Sequence, residues 1–145
     1  MDSGSDTGSS RFDSLTNNTT PLLTGRAEKG ATVNIRMSPT GTVYTTTADA
    51  STGVWSYRIP TSDALSTSGT FTPQIKVIDV AGNATAWVDG TAFELDLSAP
   101  KVSVTRSETN VVNSGKTTEL TFTFTEAPAG FTLDDIVVAG GARDR

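Results

Sequence analysis

Residues 31–37 read "ATVNIRM". In an extended chain successive side chains point to opposite faces, so Val33, Ile35 and Met37 fall on one side and Asn34 and Arg36 on the other. That alternation predicts a strand with one buried face, not a helix. The pattern recurs on both sides of this stretch. "VWSYRI" (54–59) aligns Trp55, Tyr57 and Ile59, and "FTPQIKVID" (71–79) places Phe71, Ile75 and Val77 together. "AFELDL" (92–97) points Phe93, Leu95 and Leu97 inward, with Glu94 and Asp96 outward. Turn signals separate the runs: "EKGA", "SPTG", "STG", "STSG" and "AGN". Short strands about 8–12 residues apart, joined by glycine-containing turns, predict an all-β sandwich. The abundant threonines agree, because β-branched side chains suit a pleated surface.

Composition narrows the chemistry. The 145 residues carry 11 Lys+Arg against 16 Asp+Glu, a formal charge of -5, with no cysteine and no histidine. Disulfide scaffolds, thiolate catalysis, cysteine-type zinc sites and a Ser-His-Asp triad are thereby excluded. The acidic balance argues against nucleic acid and anionic membrane surfaces, which call for Lys/Arg patches. No apolar run is long enough to insert in a membrane, and the N-terminus lacks the basic-then-apolar pattern of a secretory signal, so any export signal is expected outside this fragment. Oxygen ligands are plentiful, a composition suited to hard cations such as calcium.

The expected organisation has three parts. Residues 1–19 form an acidic N-terminal linker or first-strand segment, 20–98 an immunoglobulin-like β-sandwich of roughly seven strands, and 99–145 a partial second module. Pro100 marks the border. Beyond it come "KVSVTRS", "ELTFTFTE", with Leu120, Phe122 and Phe124 on one face, and "GFTLDDIVVAGG". These supply about three strands, too few to close a sandwich.

In order and spacing, "DSGSDTGSS", "DSLTNNTTPLLTGRAEKGATVNI", "TTTADASTGVWSYRIP", "IKVIDVAGNATA" and "FELDLSAP" resemble the bacterial immunoglobulin-like repeats of large secreted adhesins, the biofilm-associated and RTX-type surface proteins. The tail "KTTELTFTFTEAPAGFTLDDIVVAGG" resembles the opening half of a different bacterial Ig-like repeat. The resemblance implies a non-catalytic spacer or adhesive module at the bacterial cell surface. Its expected partners are neighbouring repeats of the same polypeptide, and a surface glycan or protein is the expected ligand of the parent adhesin. Calcium would stiffen the junctions between repeats. Where such repeats often read "DTTAP" this chain has "DLSAP", keeping Asp96. The competing reading is a carbohydrate-binding module of a secreted enzyme, with Trp87 as the exposed aromatic and Trp55 in the core.

Calcium takes about 6–8 oxygens from carboxylates, carbonyls and waters. "DSGSDTG" offers Asp2 and Asp6 on a freely bending backbone, with Asp13 near in sequence. Asp79 closes an apolar run before "VAGN", and Asp96 stands just before Pro100. These five are the candidate metal ligands. The bland reading of each is a turn former whose carboxylate caps its own backbone. Asn83 reads as a left-handed turn residue, Asp134 and Asp135 as part of a solvated turn, and Lys76 as facing away from Ile75 and Val77.

Overall fold

Val33 and Ile35 are fully enclosed, and the strand that carries them is paired on both edges. The computed structural model describes residues 1–8, 10–107, 117–128 and 130–138. The chain divides into two units, Met1–Ser98 and Ala99–Arg145.

In the first unit the strands are β1 (Leu15–Thr16), β2 (Leu22–Arg26), β3 (Thr32–Arg36), β4 (Tyr44–Thr47), β5 (Val54–Arg58), β6 (Gly69–Phe71), β7 (Gln74–Ile78), β8 (Val88–Asp89) and β9 (Phe93–Leu95). They build a four-stranded sheet β4-β3-β7-β8, a pair β2-β5 and a three-stranded sheet β1-β9-β6. All pairings are antiparallel except β1 with β9, which run parallel with Leu15 opposite Glu94 and Thr16 opposite Leu95. Register puts Val33 beside Val77 and Ile35 beside Ile75, so the apolar alternation of β3 and β7 shares one face. The core draws on every layer: Leu23 of β2, Val33 and Ile35 of β3, Tyr44 of β4, Trp55 of β5 and Phe93 of β9. The architecture is an immunoglobulin-like β-sandwich.

Two expectations change. "FTPQIKVID" is two strands, because Pro73 has no amide for a ladder. Phe71 therefore lies in β6 opposite Phe93, while Ile75 and Val77 lie in β7. Leu97 is past the end of β9 and is 42% exposed, so it does not continue the inward row of Phe93 and Leu95. Residues 1–19, expected as an acidic linker or first-strand segment, supply β1 to a sheet, with Ser5, Asp6 and Thr16 buried and Met1 packed against the core.

Two glycines are set by close approach. A Cβ on Gly25 would stand 2.5 Å from Cζ2 of Trp55, so the indole lies directly on the backbone of β2. Gly53 has φ +72°, and a Cβ there would stand 2.5 Å from the Ala27 carbonyl oxygen.

In the second unit β10 (Val102–Arg106) pairs antiparallel with β11 (Leu120–Phe124). Val102 faces Phe124, Val104 faces Phe122 and Arg106 faces Leu120, which gives the ribbon one mainly apolar side. Ser103, Thr105, Thr121 and Thr123 line the other. Phe131 closes over part of the apolar side, its ring 4.9 Å from that of Phe124 and 5.7 Å from that of Phe122. Asp134 and Asp135 sit in a single 3₁₀ turn (Leu133–Asp135), with Asp135 and Thr132 capping each other.

Gly25→Ala is expected to cost about 1–3 kcal/mol by overpacking against Trp55, and Ile35→Ala about 2–5 kcal/mol by cavity formation. Urea unfolding followed by Trp55 emission reads both. An unchanged midpoint for Gly25→Ala would mean that the indole is not seated on β2.

Candidate functional site

The N-terminal acidic stretch is tied into the sandwich by a series of hydrogen bonds. Asp2 N–H donates to the Leu22 carbonyl at 2.8 Å, and Leu22 N–H donates to Ser5 Oγ at 2.8 Å, which closes the free edge of β2. Thr7 N–H donates to the Leu15 carbonyl at 3.3 Å, and Thr16 Oγ1 donates to the Ser5 carbonyl at 2.6 Å. Residues 5–7 are thus fastened to residues 14–16. At this junction Asp6 is only 4% exposed. Its Oδ2 accepts the Ser14 N–H at 3.0 Å, holding Ser14 in the left-handed region at φ +62°. Its Oδ1 is buried and has no hydrogen-bond partner among the described residues.

The other four candidates behave as turn formers. Asp2 Oδ2 accepts Gly4 N–H at 2.8 Å, and the exposed Asp13 accepts Leu15 N–H at 3.1 Å. Asp96 accepts Ser98 N–H at 2.9 Å and donates its own N–H to the Thr16 carbonyl at 2.8 Å. Asp79 uses both oxygens on one residue, accepting the Asn83 N–H at 2.7 Å and the Asn83 side-chain amide at 2.8 Å. Asn83 is the capping partner here, and the left-handed position of this turn is Gly82, at φ +92°. Among the described residues no group of three or more acidic side chains converges to hold a metal. Of the five candidates, only Asp6 keeps a buried carboxylate oxygen with no donor among the described residues, the kind of atom a hard cation would satisfy. A shell of several carboxylates is not assembled.

One acidic turn escaped the sequence reading. Asp49 Oδ1 accepts from Ser51 N–H at 3.0 Å, Thr52 N–H at 2.7 Å and Thr52 Oγ1 at 2.8 Å. The signal was present as an aspartate followed by two hydroxyl residues and a glycine in "DASTG". The Thr52 hydroxyl, then the Thr52 and Ser51 amides, hold the Asp49 carboxyl below its usual range. At Asp79 the Asn83 side-chain amide and then its backbone N–H do the same.

Neither indole offers a free sugar platform. Trp55 is 6% exposed in the core. Trp87 is half-buried with the Arg36 guanidinium 4.2 Å above its ring. Arg36 is itself anchored by Gln74 Oε1 at 3.0 Å, and Gln74 donates to Asp89 at 2.8 Å. Lys76 shares a strand with Ile75 and Val77 and points to the opposite face. The recess beside Asp79, about 270 Å³, is lined by Glu28, Val77, Asn83, Ala84 and Thr85.

Two family models match the chain, each described as a bacterial Ig-like domain, one over residues 1–97 and the other over residues 96–143. The chain belongs to the bacterial Ig-like domain family. Such domains are in general non-catalytic structural modules and are common on extracellular surface proteins. No curated protein and no solved structure matches it. Among the described residues no helix is long and apolar enough to cross a membrane.

The lowered pKa values of Asp49 and Asp79 have a definite sign. Each carboxylate contributes stability above its unfolded pKa, and that contribution is lost as pH falls through the depressed folded value. Asp49→Ala and Asp79→Ala are each expected to lower the urea midpoint near neutral pH. The deficit should vanish well below the ordinary carboxylate range. A deficit that persists in acid would assign the loss to something other than the ionised turn.

Proposed function

We propose that this chain is a non-catalytic spacer from an extracellular bacterial adhesin of the RTX or biofilm-associated kind. It serves cell adhesion by holding a distal binding head away from the surface. The observation that carries this reading is the head-to-tail succession of two bacterial Ig-like matches, one ending at residue 97 and the next beginning at residue 96. Back-to-back modules are what a spacer array requires, since each then contacts only its neighbours. The partners are adjoining repeats of the same polypeptide. A carbohydrate-binding module is the weaker reading, because Trp55 is core and Trp87 carries Arg36 on its ring.

Calcium is the proposed stiffening ion. The chain has 16 Asp+Glu and neither cysteine nor histidine, so its available ligands are hard oxygens. Asp79 and Asp96 follow β7 and β9 at strand ends, and Asp2, Asp6 and Asp13 lie in the N-terminal segment. A carboxylate that accepts one amide keeps further lone pairs for a cation. Without the ion, like charges at a junction repel and the connection loosens.

With a dissociation constant of about 10⁻⁴–10⁻³ M, as in extracellular modules, about 5 mM calcium should stabilise the fold by about 1–2 kcal/mol. Magnesium should not substitute. Small-angle scattering of the whole chain should show a larger maximum dimension in calcium than in chelator, and Asp96→Ala should remove that difference. Identical scattering with and without the ion would end the stiffening proposal.

A further inference from the structure

We infer that Asp6 anchors a calcium site inside the first unit, one that clasps the N-terminal segment onto the sandwich instead of joining one repeat to the next. The inference rests on the spacer reading for the identity of the cation and takes Asp6, one of its five candidate ligands, out of the junction.

The argument starts from a buried charge. Asp6 is only 4% exposed, and among the described residues no protein donor reaches Oδ1. A buried carboxylate oxygen left without a partner costs several times what a satisfied one does, and native proteins rarely tolerate it. The side chain cannot rotate to relieve this, because Oδ2 is committed to the Ser14 N–H at 3.0 Å. A cation satisfies the oxygen and cancels the charge together.

The surroundings suit a large, hard ion. The two segments that Asp6 joins carry the hydroxyl, amide and carbonyl oxygens of Ser5, Thr7, Ser14, Thr16 and Asn17, and Thr7 Oγ1 lies 3.2 Å from Thr16 Oγ1 and 3.0 Å from Asn17 Oδ1. Magnesium demands near-ideal octahedral geometry, whereas calcium accepts 6–8 mixed oxygens at variable angles. One carboxylate with neutral oxygens gives weak binding, in keeping with an extracellular calcium level. The consequence is structural. The ion would fasten residues 5–7 to residues 14–16, and so hold β1 against β9, where Glu94 N–H donates to the Ser14 carbonyl at 2.8 Å.

The test is a calcium titration of the whole ¹⁵N-labelled chain followed by amide shifts, with Asp6→Asn and the double variant Asp79→Asn/Asp96→Asn alongside. Asp6→Asn keeps an oxygen for the Ser14 amide and should fold, as unchanged core amides of β3 will report. The amides of Ser5–Thr7 and Ser14–Thr16 should shift saturably, with a midpoint of about 10⁻⁴–10⁻³ M. Asp6→Asn should weaken the midpoint at least about tenfold, the equivalent of losing the principal charged ligand. The double variant should keep it. Amides of the N-terminal segment that do not respond in the unmodified chain overturn the proposal whatever the variants do. Shifts confined to the neighbourhoods of Asp79 and Asp96 overturn it while leaving the junction reading standing. Magnesium giving the same shifts at the same concentration overturns the assignment to calcium.

Discussion

The first unit depends on the enclosure of β3. Val33 and Ile35 are at 0% exposure, and the strand has no free edge because β4 and β7 flank it. A strand in that position cannot slip by one residue, since a slip would send Val33 and Ile35 outward and Asn34 and Arg36 into the core. Register then propagates. Ile75 and Val77 must face the same interior, Tyr44 must lie opposite Ile35, and the indole of Trp55 must come close enough to β2 that Gly25 has no room for a side chain. The polar outer face follows from the same constraint, with Arg36, Gln74 and Asp89 bonded in a row across three strands.

The acidic residues divide by the distance along the chain to their partners. Asp2, Asp13, Asp49, Asp79 and Asp96 each accept amides from residues two to four positions ahead. They are local devices that shape turns and sit at or near solvent. Asp6 reaches eight residues along the chain to Ser14, across a fold-back that only the assembled sandwich maintains. Local capping keeps a carboxylate hydrated on its outer side, whereas the long-range bond draws Asp6 under cover. Desolvation makes the difference: an exposed oxygen with a spare lone pair costs nothing, and a buried one demands a partner.

This division explains what could be read in advance. The alternations of 31–37 and 54–59 were legible because β periodicity with one buried face is a property of consecutive residues. The break at Pro73 was legible in principle, as a missing amide inside an apparent strand, yet the apolar residues on either side masked it. Leu97 misled because alternation continues in the letters after the ladder has ended at Leu95. The candidate site was legible only as composition. Nothing in "DSGSDTG" distinguishes Asp2 from Asp6. Their fates differ because Ser14 and Thr16 return to cover Asp6, a tertiary event with no local signature. Asn83 was misread for a similar reason: the glycine before it takes the left-handed position and frees the asparagine to cap Asp79.

The parallel pairing of β1 with β9 bears on the proposed spacer role. These strands lie near the beginning and the end of the first unit, and they run side by side in the same direction. Tension drawn through the unit pulls the start of β1 one way and the end of β9 the other. Their hydrogen bonds are then loaded along the strands and resist together; they do not open one after another. Before that load reaches β1 it must pass the bonds of Asp2 and Ser5 to Leu22 and of Asp6 to Ser14. The polar leader is therefore the first structural element of the module under traction. The second unit presents a different case among its described residues, a two-stranded ribbon whose Val102, Val104 and Leu120 are about half exposed. A ribbon of two strands gains little from its own ladder. Among the described residues, the features that would resist force, two apolar faces closed on each other and a flanking segment bound to them, lie in the first unit.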